Sequence, residues 1–167
     1  MSDTSGVTAT KLIDKLCDGK TIRANNRHIE TLIQKLNQKI KKALSPYEDA
    51  LERLREIPGL SRKTVEGLIA EIGLDMEVFP TEQHLCSWVD VSPGNNESAG
   101  KKSGRNKQSK TTLMEASWAA TRTKGTFYKA RYHRLAARRG KKRAAVAVAH
   151  SILKSVYHVL KDDVPYR

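Results

Sequence analysis

Between Lys101 and Arg143 the chain carries fifteen basic side chains and a single acid, Glu115, a local net charge of +14. Side chains so charged stay in water. Any core must therefore come from the few apolar positions between them and from the flanking segments. Residues 1–100 balance to −2 and residues 144–167 to +1, so this one stretch holds the whole excess of +13. Solubility does not require such segregation, although a merely solvated basic face is the bland alternative. A field this concentrated is the footprint of a polyphosphate, and the chain is expected to bind nucleic acid.

A length of 167 residues fits one ordinary domain, or a small domain with an appendage. Cys17 and Cys86 have no paired spacing and read as buried or incidental thiols in a reducing cytoplasm. The histidines at 28, 84, 133, 150 and 158 make no i, i+4 pair beside a carboxylate, so no metal site is expected. The polar start, MSDTSG, is not a signal peptide, and no apolar run approaches the length of a membrane span.

Apolar periodicity predicts a mainly α chain. Val7, Leu12, Ile13 and Leu16 mark a short amphipathic piece ending near Asp18-Gly19. A longer helix is expected from about Ile22 to Leu44, with Ile29, Leu32, Ile33, Leu36 and Ile40 on one side. Ser45 as N-cap and Pro46 at N1 would then start a helix carrying Tyr47, Leu51, Leu54 and Ile57. Residues 1–56 thus read as a helical or coiled-coil arm, and its heptad register slips between Leu36 and Ile40. A helix packed on its own domain is the alternative.

Residues 57–167 read as a second, helical domain. In IPGLSRKTVEGLIAEIG, residues 57–73, a Pro58-Gly59 turn joins two helices like a helix-hairpin-helix, with Gly59, Ser61 and Lys63, and Arg62 beside them, placed to grip a phosphate. A plain αα-hairpin is the alternative. FPTEQHLCSWVDVSP suggests a short helix capped by Thr81, with Leu85, Trp88 and Val89 inward. Residues 94–110, GNNESAGKKSGRNKQSK, have no apolar period and read as a long basic loop. Helices are expected at Leu113–Thr123, at Phe127–Arg139 with Gly140 as its stop, and at Lys141–Leu160. The last has an apolar face of Val146, Ala149, Ile152, Leu153, Val156, Tyr157 and Leu160.

Candidate phosphate contacts are Lys101, Lys102, Arg105, Lys107 and Lys110 in the loop, and Arg131, Arg134, Arg138, Arg139, Lys141, Lys142 and Arg143 beyond it. Ser98 precedes the loop cations. A serine hydroxyl attacks phosphorus only if its proton is removed and the phosphate charge is neutralised, which Lys101, Lys102 and Arg105 could do. Taken by itself, a serine before Ala-Gly is more often a turn former.

Three ordered blocks, IPGLSRKTVEGLIAEIG, FPTEQHLCSWVDVSPGNNESAGKKSGR and RLAARRGKKRAAVAVAHSILKSVYHVLKDDVPY, resemble the C-terminal half of the insertion-sequence one-ten transposases, the bridge-RNA-guided DNA recombinases. The resemblance covers roughly Leu54 to Arg167, and the preceding arm is similar to that family's coiled-coil segment. It implies an N-terminal RuvC-like domain with a DEDD set of Mg²⁺-binding carboxylates joined to a serine-bearing C-terminal domain. It places the serine nucleophile on Ser98, with a covalent phosphoserine link to DNA and a guide RNA pairing with donor and target. Where the family has Lys-Gly-Asn, this chain has Gln108-Ser109-Lys110, and Leu113 is followed by Met114.

No DEDD set is legible in this sequence, so the chain is expected to bind no cofactor itself and to be inactive alone. The RuvC-like domain, or an intact transposase, would be its partner, with self-association through the arm and a location at the bacterial nucleoid. Two other readings compete: a non-catalytic DNA- or RNA-binding remnant that regulates transposition, and a structural RNA-binding protein of the ribosomal sort.

Overall fold

The computed structural model describes residues 19–92, 97–98, 101–102 and 107–166, with side chains over 26–92 and 108–166. The chain divides into two compact units, Met1–Pro46 and Tyr47–Arg167. The division falls earlier than the 56/57 boundary read from sequence, because the helix that follows Pro46 packs within the second unit.

In the first unit the described structure is one long helix, α1 (Gly19–Leu44). Gly19, expected near a helix stop, is already helical, while residues 1–18 lie outside the described residues. Ile29, Leu32, Ile33 and Leu36 remain about half exposed along one stripe. Ser45 does not cap a new helix: its hydroxyl donates back to the Lys42 carbonyl at 3.0 Å, and Ser45–Tyr47 forms a 3-10 turn. That choice is physically reasonable, since a serine hydroxyl competes for nearby backbone groups wherever they are free.

The second unit contains α2 (Glu48–Arg55), α3 (Arg62–Ile72), a 3-10 turn (Met76–Val78), α4 (Glu82–Trp88), α5 (Lys107–Arg122), α6 (Phe127–Arg139) and α7 (Lys141–Lys161). A minimal antiparallel pair, β1 (Glu97–Ser98) and β2 (Lys101–Lys102), lies between α4 and α5. The expected structureless loop is therefore shorter, since α5 begins at Lys107 rather than Leu113. The fold is mainly α.

The last helix is the hub. α6, α5, α4 and α2 all pack on α7, which buries Ala144, Ala145, Val148, Ala149, Ile152, Leu153, Val156, Tyr157 and Val159. A helix surrounded on several sides is apolar over most of its circumference. This explains why its buried face is broader than the one predicted, while Val146 and Leu160 are only half-buried. Each fully buried Leu or Ile here contributes on the order of 1.5–3 kcal/mol.

Two local devices hold the N-terminal half of the unit in place. Gly59 has φ +94°, and a Cβ built on it would stand 2.4 Å from the Ala116 carbonyl oxygen and 2.8 Å from the Ala120 Cβ on α5. Only glycine lets the α2–α3 turn approach a helix backbone that closely. At the end of α4, Asp90 takes φ 61°. Its N–H donates to the Ser87 carbonyl at 3.1 Å, and the Val91 N–H donates to the Cys86 carbonyl at 3.0 Å, a Schellman termination. Thr81 stands at the N-cap position of α4 without making the cap bond, because its hydroxyl pairs with His84 Nδ1 at 2.8 Å.

Candidate nucleic-acid interface

Among the described residues, a dense cationic cluster lies at the corner between α6 and α7. α6 ends at Arg139 because Gly140, at φ 82°, is the residue able to turn there without strain. Arg138, Arg139, Lys141, Lys142 and Arg143 surround this glycine and all are exposed. Among the described residues none of them, nor Arg134, makes an ion pair with a carboxylate. Arg138 and Arg139 sit favourably at the carbonyl end of α6. Lys141, Lys142 and Arg143 instead crowd the positive end of α7, whose first turn has no acid and whose N-cap makes no side-chain hydrogen bond. Intrahelical bonding of α7 starts with the Ala144 N–H donating to Gly140 O at 3.1 Å. The amides before it are the unpaired donors of a helix start. Placing three cations there opposes the helix dipole. An anion would relieve the repulsion and accept from the free amides.

Arg131 is placed differently from its neighbours. It is half-buried, and its guanidinium carbon lies 5.8 Å from the Phe127 ring centroid. Burial, then the Lys154 and Arg131 cations, push the His150 pKa below its ordinary value. Arg131 is therefore a half-buried cation whose charge bears on His150 of α7.

The turn at residues 57–61 brings fewer free groups than its sequence suggests. The Cα face of Gly59 is covered by α5. Ser61 is the N-cap of α3, its hydroxyl accepting from the Thr64 N–H at 3.2 Å. Arg62 is committed to two carboxylates: it donates to Glu48 at 2.6 and 2.9 Å and to Glu66 at 2.9 Å. Those bonds, Glu48 first, hold its pKa well above the ordinary arginine value. Arg62 is thus a strut between α2 and α3 and does not present a free charge to phosphate. Lys63 is the exposed cation of this turn.

Of the loop residues, Lys110 is also engaged, with its ammonium 2.6 Å from Asp90 Oδ2. The pair joins the end of α4 to the first turn of α5 and so brings together the two ends of the segment bearing Ser98. Sequence reading missed Asp90 as that partner. A lone acid following a helix gives no indication of a cation twenty positions later. Ser98 lies on β1, opposite Lys101 in the register, and Lys102 is opposite Glu97. The backbones of Ser98, Lys101, Lys102 and Lys107 are described and their side chains are not; Arg105 lies outside the described residues.

Sequence reading also missed an aromatic group on α5 and α6. The Trp118 ring meets Tyr132 edge-on at 5.8 Å and 66°, and Tyr132 meets His133 at 5.5 Å and 76°. The signal was present as aromatics interleaved with cations.

Among the described residues there is no cluster of three or more His, Cys, Asp or Glu able to hold a metal ion. No helix among them is long and apolar enough to cross a membrane. Cys86 is fully buried, and burial pushes its thiol up to about 12, so it is no nucleophile at neutral pH.

Residues 51–133 match the family model described as Transposase IS116/IS110/IS902 family, which points to DNA transposition or recombination. The matched span runs from α2 through most of α6 and includes Ser98. No curated protein matches the chain.

Proposed function

We propose that this chain is the serine-bearing, nucleic-acid-gripping part of a DNA transposase or recombinase. The observation that carries the reading is the transposase-family match over residues 51–133, followed directly by the exposed cationic corner at Gly140. In this reading Arg134, Arg138, Arg139, Lys141, Lys142 and Arg143 hold a phosphate backbone, and Lys63 adds a contact beside the helix-hairpin-helix turn. Lys101, Lys102, Arg105 and Lys107 neutralise the reacting phosphate.

The Ser98 hydroxyl would lose its proton to a base and attack a DNA phosphorus. A serine O–P bond would form, a sugar O–P bond would break, and the leaving sugar oxygen would take up a proton. In this reading the carboxylates that hold Mg²⁺ for this chemistry belong to a RuvC-like domain, as the resemblance to the family implies. Target choice is assigned to a guide RNA, and self-association to the half-exposed apolar stripe of α1.

The experiment combines the chain with a RuvC-like domain of the family, guide RNA, Mg²⁺ and labelled DNA. A covalent protein–DNA adduct is expected, and Ser98→Ala should abolish it. An adduct that survives the substitution rules out Ser98. If no adduct forms but tight binding remains, the non-catalytic regulator is the better reading.

A further inference from the structure

We infer that Trp118 and Tyr132 form a stacking platform for an unpaired nucleobase, so that the α5–α6 face takes single-stranded nucleic acid rather than duplex alone. This inference rests on the nucleic-acid-binding reading above and adds a second kind of contact to it.

Trp118 is 37% exposed on α5, although the unit has an apolar core in which an indole could be buried. Its ring is held by Tyr132 of α6, and the 66° angle between the planes is an edge-to-face contact. Such a contact covers at most one face of the Trp118 indole, and the exposed part of that ring is what a further π-system can meet, while Tyr132 is half-buried behind it. His133 extends the group, at 5.5 Å from Tyr132. Cations flank the rings at helical spacing: Arg122 lies one turn beyond Trp118, and Lys129 one turn before Tyr132 and His133. Among the described residues neither has a carboxylate partner. The opposite end of the patch is bounded by Glu115, one turn before Trp118, where a phosphate would be repelled.

Exposed rings that stack bases, set beside cations that track the backbone, are the combination by which proteins hold single strands. Stacked and paired bases within a duplex cannot offer a face to these rings, whereas an unpaired one can. The cation corner at Gly140 lacks exposed aromatics and would bind duplex and single strand alike. The two surfaces therefore differ in what they can discriminate.

The test uses the full chain in a Trp88→Phe background, so that Trp118 is the one remaining tryptophan. Probes are an oligothymidylate and a mixed-sequence DNA duplex. Oligothymidylate should quench Trp118 fluorescence, and Trp118→Leu should weaken its binding by about tenfold or more, with Trp118→Phe restoring most of it. Duplex affinity, and the salt dependence of both, should stay as in the parent. Circular dichroism checks that the leucine variant folds. If it does not, Tyr132→Leu and the quenching measurement decide.

Equal weakening of both probes, or no quenching with unchanged affinity, overturns the platform while leaving the nucleic-acid reading intact. A parent that binds neither probe overturns both. A leucine variant that alters only self-association would make the patch a protein contact and overturn the platform.

Discussion

Gly59 stands so close to α5 that a Cβ on it would lie 2.4 Å from the carbonyl oxygen of Ala116. The turn that most resembles a phosphate-gripping motif in sequence is thus also a packing joint. Gly59→Ala combines a left-handed backbone, at about 1–2 kcal/mol, with overpacking against an unyielding helix backbone, at about 1–3 kcal/mol. A loss of roughly 2–5 kcal/mol in urea unfolding is expected. A change below about 1 kcal/mol would show that the joint yields.

The cations divide into engaged and free. Replacing Arg138, Arg139, Lys141 and Lys142 by glutamine should lower the salt-dependence slope of duplex binding by about 0.9 for each phosphate no longer neutralised. Lys110→Met should leave that slope unchanged, because Lys110 already faces Asp90 at 2.6 Å. An equal drop in slope for Lys110 and any one corner residue would place Lys110 on phosphate instead.

Tyr157 is buried on α7, and its hydroxyl donates to the Phe79 carbonyl at 3.1 Å while accepting from Lys161 Nζ at 3.0 Å. Tyr157→Phe would leave that carbonyl without its donor, and a loss of about 1–3 kcal/mol in unfolding free energy is expected. An unchanged melting temperature would mean that water replaces the hydroxyl.

The folded state holds the His150 pKa below 6.5, through burial and then the Lys154 and Arg131 cations, with Glu82 a smaller opposing influence. Between the folded and unfolded values the unfolded chain binds more protons, so stability rises with pH in that window. This contribution is fully present above pH 6.5 and shrinks as pH falls below it. Glu82, held low mainly by Lys154, adds a loss of the same sign below its ordinary value of 4.5. Unfolding measured from pH 8 to 5 should show a decline that His150→Gln flattens. An equal decline in the variant would assign the effect to other groups.

Helix positions were largely legible because each amphipathic segment carries its own punctuation. Phe127–Arg139 ends at Gly140, as the sequence indicates, because a glycine beyond a periodic run is a local signal. Within the helix expected at Leu113–Thr123, the residues at helical spacing, Leu113, Ala116, Ser117 and Ala120, are buried. Local competition was harder to read. Ser45 and Thr81 look like caps, yet Ser45 bonds back to Lys42 and Thr81 bonds to His84. A small hydroxyl has several partners within reach, and the backbone's path selects among them.

By itself the sequence determined that the chain is mainly helical, that its excess of positive charge falls between Lys101 and Arg143, and that its turns stand at Pro58-Gly59 and Gly140. These properties depend on residue type and on neighbours a few positions away. Only the tertiary structure decided which cations are free. Arg62 faces Glu48 across the α2–α3 turn and Lys110 faces Asp90 across the α4–α5 connection, while the corner residues face no acid among the described residues. The same holds for Trp118 and Tyr132, whose rings meet because their two helices pack together there. Charge and ring pairing act through space over a few ångströms, and sequence separation does not report that distance.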